Sequence, residues 1–152
     1  MTSPLHFMMG QHKAVIPTDR YYSARHMWLK PIDSGTFQVG FTSYSIRLLQ
    51  DVYFLEWTVD ENTPVRDRQE IGEIESSKAV STMYTPCAGT ILQFNAALLN
   101  DPSGINADNY GAGWLYTFQT GISLLSAEDY VRVLENGWEE TQRAIKGQMN
   151  EG

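Results

Sequence analysis

Apolar and polar residues alternate at period two through most of the chain and shift to a helical period near its end. Phe37, Val39 and Phe41 recur at every second position of residues 36–42, which puts them on one face of a strand. Residues 52–59 repeat the pattern, with Tyr53, Leu55, Trp57 and Val59 set against Val52, Phe54 and Glu56. The aromatic segment 21–30 is expected to open the folded domain as a strand. Residues 71–84 read as a hairpin whose second arm, 80–85, is rich in β-branched and aromatic types. Leu92 and Phe94 face together in a strand over 90–95, and Trp114, Tyr116 and Phe118 alternate in a closing strand.

The helical signals are fewer. Tyr44, Ile46, Leu48 and Leu49 share part of one face of a short helix over 43–50, with Thr42 or Ser43 as its cap. Residues 95–100 make one or two helical turns, which Asp101-Pro102-Ser103-Gly104 stops. Ser126-Ala127-Glu128-Asp129 fits a capping box, and Ala127, Tyr130, Val131, Leu134, Trp138 and Ile145 follow at helical spacing. Gly137 costs that helix about 1 kcal/mol relative to alanine, so the helix is expected to end or bend there. Many short strands with one terminal helix predict a mainly β domain, a small sandwich or barrel. Residues 1–19 are expected to be an extension that lies on the domain or is partly disordered. The domain spans 20–136, and 137–152 is a tail or helix end.

Length and charge narrow the function. A chain of 152 residues suits one domain with one core. A formal net charge of -7 disfavours nucleic-acid binding, which needs a basic footprint. No apolar run is long enough to span a bilayer, and residues 1–20 lack a basic segment followed by an apolar one, so the expectation is a cytoplasmic protein with no membrane partner. His6 and His12 have no accompanying Cys/His cluster, so no metal site is expected. The single Cys87 reads as a small buried hydrophobe, with a redox thiol as the alternative. No Ser/His/Asp or Cys/His array stands at catalytic spacing, so the chain is not expected to be an enzyme with catalytic residues of its own.

Candidate chemistry centres on Lys78, at the turn of the 71–84 hairpin. The chain resembles the H protein of the glycine cleavage system from about Tyr22 to Leu134. The blocks that carry the likeness, in order, are His26-Met27-Trp28, Val39-Gly40-Phe41-Thr42, Asp51-Val52-Tyr53-Phe54-Leu55-Glu56, Glu75-Ser76-Ser77-Lys78-Ala79-Val80-Ser81, Pro86-Cys87-Ala88-Gly89, and Asn106 through Tyr110-Gly111-Ala112-Gly113-Trp114-Leu115. The resemblance implies a barrel-sandwich hybrid fold and a lipoate in amide linkage on Lys78. It also implies recognition by a lipoyl ligase or transferase through Glu75, Ser76, Ser77 and Ala79, and a cleft for the arm formed by Arg25, His26, Met27, Trp28 and Thr82. A tethered arm raises the effective concentration of its cargo at successive active sites.

The cleft departs from the family's pattern. In glycine cleavage the loaded arm ends in a protonated amine, and the family shields it with two carboxylates. Here those two positions are Met27 and Thr82, and a position that is often a small hydroxyl residue is Arg25. A cation withdrawn from water needs an anionic partner. On charge, the expected cargo is therefore neutral or anionic. The chain also resembles the divergent lipoate-binding proteins, similar to the H protein, of heterodisulfide-reductase-like sulfur oxidation, and that resemblance implies a sulfur intermediate shuttled for such a complex. The alternative is aminomethyl transport in glycine decarboxylation, with glycine decarboxylase, aminomethyltransferase and dihydrolipoyl dehydrogenase as partners. A second alternative is a non-lipoylated interaction module or a donor for lipoyl transfer.

Overall fold

The computed structural model describes residues 3–151, with side chains as far as residue 143. The place of Ile145 in the terminal apolar stripe lies outside the described side chains.

The chain opens with a hairpin of β1 (Leu5–Met9) and β2 (His12–Ile16). Its turn uses Gly10 at φ 63°, a conformation that glycine adopts without steric cost. β3 (Tyr21–Tyr22), β4 (Met27–Asp33) and β5 (Thr36–Phe41) follow. Then α1 (Ser43–Leu49) is capped by Thr42, whose hydroxyl accepts from the Ser45 amide at 3.3 Å. β6 (Val52–Trp57), β7 (Thr63–Val65), β8 (Glu70–Ser76), β9 (Val80–Tyr84) and β10 (Gly89–Phe94) come next. The short helices α2 (Ala96–Asn100) and α3 (Gly104–Ala107), the strand β11 (Tyr116–Gln119) and the long helix α4 (Ala127–Glu151) complete the chain.

All pairings are antiparallel. A six-stranded sheet runs β3-β4-β5-β11-β10-β7, and a three-stranded sheet runs β6-β8-β9. The main core lies between them, around Leu29, Val39, Ile71, Ile74, Ile91, Tyr116 and Phe118. A second core gathers Phe7, Met9, Ala14 and Ile16 of the N-terminal hairpin with Trp28, Tyr44, Tyr130 and Leu134. This is the mainly β, barrel-sandwich arrangement that the sequence predicts. No described helix is long and apolar enough to cross a membrane.

Several local expectations change. Segment 21–30 is two strands, parted by a turn in which the His26 amide donates to the Ser23 carbonyl at 3.1 Å. A bulge between Val52 and Phe54 breaks the alternation of β6. Val52 and Leu55 are buried, whereas Tyr53 and Phe54 are 61% and 40% exposed. A second bulge, between Ile91 and Gln93, breaks the alternation of β10: Ile91 is buried in the core and Phe94 packs against it. Thr63–Val65, for which no strand is expected, pairs with β10. Residues 5–16 are ordered as strands and bury four apolar side chains on the domain. At the N-terminus of α4, Ser126 accepts from the Asp129 amide at 3.1 Å, but the Asp129 carboxylate pairs with Arg132, so only half of the capping box forms.

α4 also continues through Gly137. Just beyond it, Trp138 meets Phe7 edge-on at 5.7 Å and Tyr44 at 6.2 Å. Aromatic pairs contribute about 0.5–1.5 kcal/mol each beyond their area, enough to offset the glycine.

Candidate functional site

Lys78 stands at the tip of the β8–β9 hairpin. The two strands pair as far as Glu75 and Val80, and the Ser76 amide closes the turn on the Ala79 carbonyl at 2.9 Å. Ser76 is buried, and its hydroxyl accepts from the Lys78 and Ala79 amides at 3.3 and 3.4 Å. Ser77 ties the turn to the α1–β6 junction: its amide donates to the Asp51 carbonyl at 2.9 Å, and its hydroxyl accepts from the Asp51 amide at 3.3 Å. The turn that presents the lysine is therefore held by its own two serines. The Lys78 side chain is exposed and has no ion pair among the described residues. Glu75 sits opposite Phe54 and Val80, and Glu73 opposite Glu56 and Thr82.

A cavity of about 310 Å³ runs beside β9. Its walls are Met27 and Phe41 of the large sheet, Ser45, Leu48 and Leu49 of α1, Ile71 and Ile74 of β8, Ser81 to Tyr84 of β9, and Tyr116. The lining starts at Ser81, three residues past Lys78. At about 3.3 Å per strand residue that is roughly 10 Å from the lysine, and Tyr84 is roughly 20 Å away. The walls are mostly apolar.

Among the described residues, Arg25 carries the sole charged side chain of the lining, which includes no carboxylate. Its guanidinium donates to the Thr85 carbonyl at 3.2 Å and lies 3.9 Å from the Asp67 carboxylate. Partial exposure and the length of that ion pair leave the positive charge only partly neutralised. Tyr116 is fully buried, and its hydroxyl has no protein partner.

The structure brings Arg25, Met27 and Thr82 together on one cavity, as expected, but not His26 and Trp28. Met27 and Trp28 are neighbours on β4 and so face opposite sides of the sheet. Trp28 is fully buried in the second core, where its indole donates to the Asn109 carbonyl at 2.9 Å and the Arg20 guanidinium lies 4.7 Å from its ring. His26 takes a left-handed conformation, φ 69°, which turns its ring away from the cavity. That ring packs on Tyr44 at 4.6 Å, and its Nδ1 lies 2.9 Å from the Tyr130 hydroxyl. Burial pushes the imidazole pKa down to about 4.

The wall formed by Ser45, Leu48 and Leu49 escaped the sequence reading. The helix itself was legible, but which of its residues face Lys78's hairpin depends on packing between sheets. Cys87 is buried, and burial pushes its thiol pKa up, against a smaller opposing effect of the Thr120 hydroxyl 3.5 Å away. A buried thiol held protonated is a poor nucleophile. No cluster of three metal-ligating side chains occurs among the described residues.

Comparison with known proteins agrees with this geometry. The glycine cleavage H-protein family matches residues 20–137. The glycine cleavage system H protein of Psychrobacter sp. (strain PRwf-1) is 38% identical over 120 residues, covering 76% of this chain and 94% of that protein. The protein of the same name from Mycobacterium tuberculosis (strain H37Rv) is 38% identical over 112 residues, covering 74% of this chain and 83% of the relative. The crystal structure of a glycine cleavage system H protein from Mycobacterium marinum superposes with a TM-score of 0.69 at 37% identity, over 80% of this chain and 99% of that one. With its fold, its lysine-bearing hairpin and this match, the chain belongs to the glycine cleavage H-protein family.

Proposed function

We propose that this chain is the lipoyl carrier of a glycine cleavage system, with the arm attached at Lys78. The family carries a covalently bound lipoate on a lysine, and its members are carriers rather than catalysts. The observation that carries the assignment to Lys78 is its place on a serine-braced turn next to an apolar cavity. When bound, lipoate supplies a dithiolane that accepts and releases a group at sulfur. The chain's own part is to hold the arm's base and cover its length. Ser76 and Ser77 fix the turn, Glu75 flanks it for ligase recognition, and Met27, Leu48, Leu49, Ile74 and Met83 offer an apolar wall. Amide formation removes the Lys78 charge, which suits passage along that wall.

The family relation supports glycine cleavage ahead of the sulfur oxidation setting that the cleft's charges favour. Glycine decarboxylase, aminomethyltransferase and dihydrolipoyl dehydrogenase are then the partners. The sulfur reading keeps one specific support, a cavity lined by Arg25 and by no carboxylate. In its favour, such walls would hold a neutral or anionic cargo better than an ammonium.

Attachment is tested by intact mass after expression with lipoate and a lipoyl ligase. One lipoyl adduct is expected, absent from Lys78→Ala; an adduct that survives the substitution places the arm elsewhere. The setting is tested in a reconstituted glycine cleavage assay with the unsubstituted chain. Turnover comparable with that of a standard H protein supports the proposal. Negligible turnover, restored by Met27→Glu with Thr82→Asp, reverses the order of the two readings.

A further inference from the structure

We propose that residues 5–16 and 138–141, one stretch from each terminal segment outside the family match, together brace the outer wall of the arm's cleft, with Phe7, Trp138 and Thr141 as its positioning residues. The inference rests on the reading of the cavity beside β9 as the arm's resting place. The N-terminal hairpin brings Phe7 against Tyr44 of α1 at 6.2 Å, and Trp138 closes on both rings. The Tyr44 hydroxyl donates to the Thr141 hydroxyl at 2.9 Å. One segment from each end of the chain thus grips the same side chain of α1.

Tyr44 passes that grip to the cavity by two routes. Along α1, Leu48 packs against the second core and also lines the cavity, one helical turn beyond Tyr44. Across the interface, the Tyr44 ring packs on His26. The His26 carbonyl accepts from the Thr42 amide, the Thr42 hydroxyl and the Ser45 hydroxyl at 3.3, 3.2 and 3.0 Å. His26 lies between Arg25 and Met27, both of which line the cavity. A left-handed residue with its ring and its carbonyl both held sets the direction of its two neighbours.

The alternative is that the terminal segments only add stability. The two readings differ in what loosens. If the brace sets the wall, weakening it opens α1 locally at conditions where the domain stays folded. A purely global role lowers the melting temperature and leaves α1 and the arm as they were.

The test uses the lipoylated full chain, its arm reduced, with Trp138→Ala and the milder Thr141→Val as variants. Two readings are taken well below the melting temperature: backbone hydrogen exchange over Ser43–Leu49, and the rate at which a maleimide alkylates the arm's thiols, with non-lipoylated protein as the blank for Cys87. Lipoylation of Lys78 should be complete in both variants. Exchange over α1 and alkylation of the arm should each rise about five-fold or more in Trp138→Ala, and Trp138→Phe should return both towards the unsubstituted values. Should Trp138→Ala fail to fold, Thr141→Val is expected to move both readings in the same direction. Unchanged exchange and alkylation in folded variants, with Leu48→Ala raising alkylation, overturn the brace while leaving the cleft reading intact. An arm as reactive in the unsubstituted protein as free dihydrolipoamide overturns the cleft reading and the inference together.

Discussion

The buried His26 makes stability depend on pH in a way that can be worked out. Its imidazole is neutral in the folded chain, packed on Tyr44 and beside the Tyr130 hydroxyl, with its pKa pushed down to about 4 by burial. In the unfolded chain it returns to the ordinary value near 6.5. Between those values the unfolded state binds more protons, so stability is present above the unfolded pKa and is lost as pH falls. Linkage over that gap gives a loss of about 2 kcal/mol between pH 7 and pH 5, and about 3 kcal/mol once pH falls below the folded value.

Urea unfolding at several pH values in that window measures it, with His26→Gln as the comparison. The substitution lowers stability near neutral pH by removing the contact with Tyr44, so the slope rather than the level is the readout. The gap between the two proteins should shrink by about 2 kcal/mol from pH 7 to pH 5. His12, also lowered by burial and by Arg47, contributes equally to both and cancels. Asp19, whose carboxyl is lowered chiefly by its hydrogen bond from Arg20, loses its contribution below this window. Curves that stay parallel within about 0.5 kcal/mol would show that His26 is not the buried group responsible.

Two further substitutions test packing at and behind the cleft. Tyr116→Phe removes a buried hydroxyl without a protein partner and should raise the stability of the non-lipoylated chain by about 1 kcal/mol in thermal or urea unfolding; a loss of similar size would reveal a partner. Gly40→Ala would place a Cβ 2.5 Å from the fully buried Trp28 ring, so unfolding measurements should show a loss of about 3 kcal/mol; near-neutral behaviour would mean that β4 and β5 can separate there.

The hairpin of Lys78 was legible because its signals are local. A second arm rich in β-branched and aromatic types and two serines before the lysine survive without knowledge of the rest of the fold. Arg25, Met27 and Thr82, grouped in the sequence by resemblance, line one cavity. The inclusion of His26 and Trp28 failed for a geometric reason: adjacent strand residues face opposite ways, and the left-handed turn at His26 leaves no mark in the hydrophobic pattern. Bulges in β6 and β10 escaped likewise, because one extra residue shifts the facing of all that follow. The terminal brace could not be read, as Phe7 and Trp138 are 131 positions apart and neither segment has a clear partner in sequence.

The residues that hold the turn and those that line the cavity are different, although β8 and β9 carry both, and so they can vary separately. Lys78 depends on the three-stranded sheet and on Asp51, which together hold the turn whatever lines the cavity. The cavity's character depends on the first residues of β4, on β9 and on α1. On the proposed function, a chain can therefore keep the lysine of this turn while the charge lining its cavity changes. Family membership bears strongly on the first of these and weakly on the second. Arg25 is the residue where the two meet: its guanidinium reaches the carbonyl just after β9 and an acid on the loop before β8. Neutralising it with Arg25→Ser should leave lipoylation of Lys78 unchanged and should improve retention of a cationic cargo. Cargo retention that is indifferent to that change would mean the loaded end of the arm never comes within reach of the Arg25 charge.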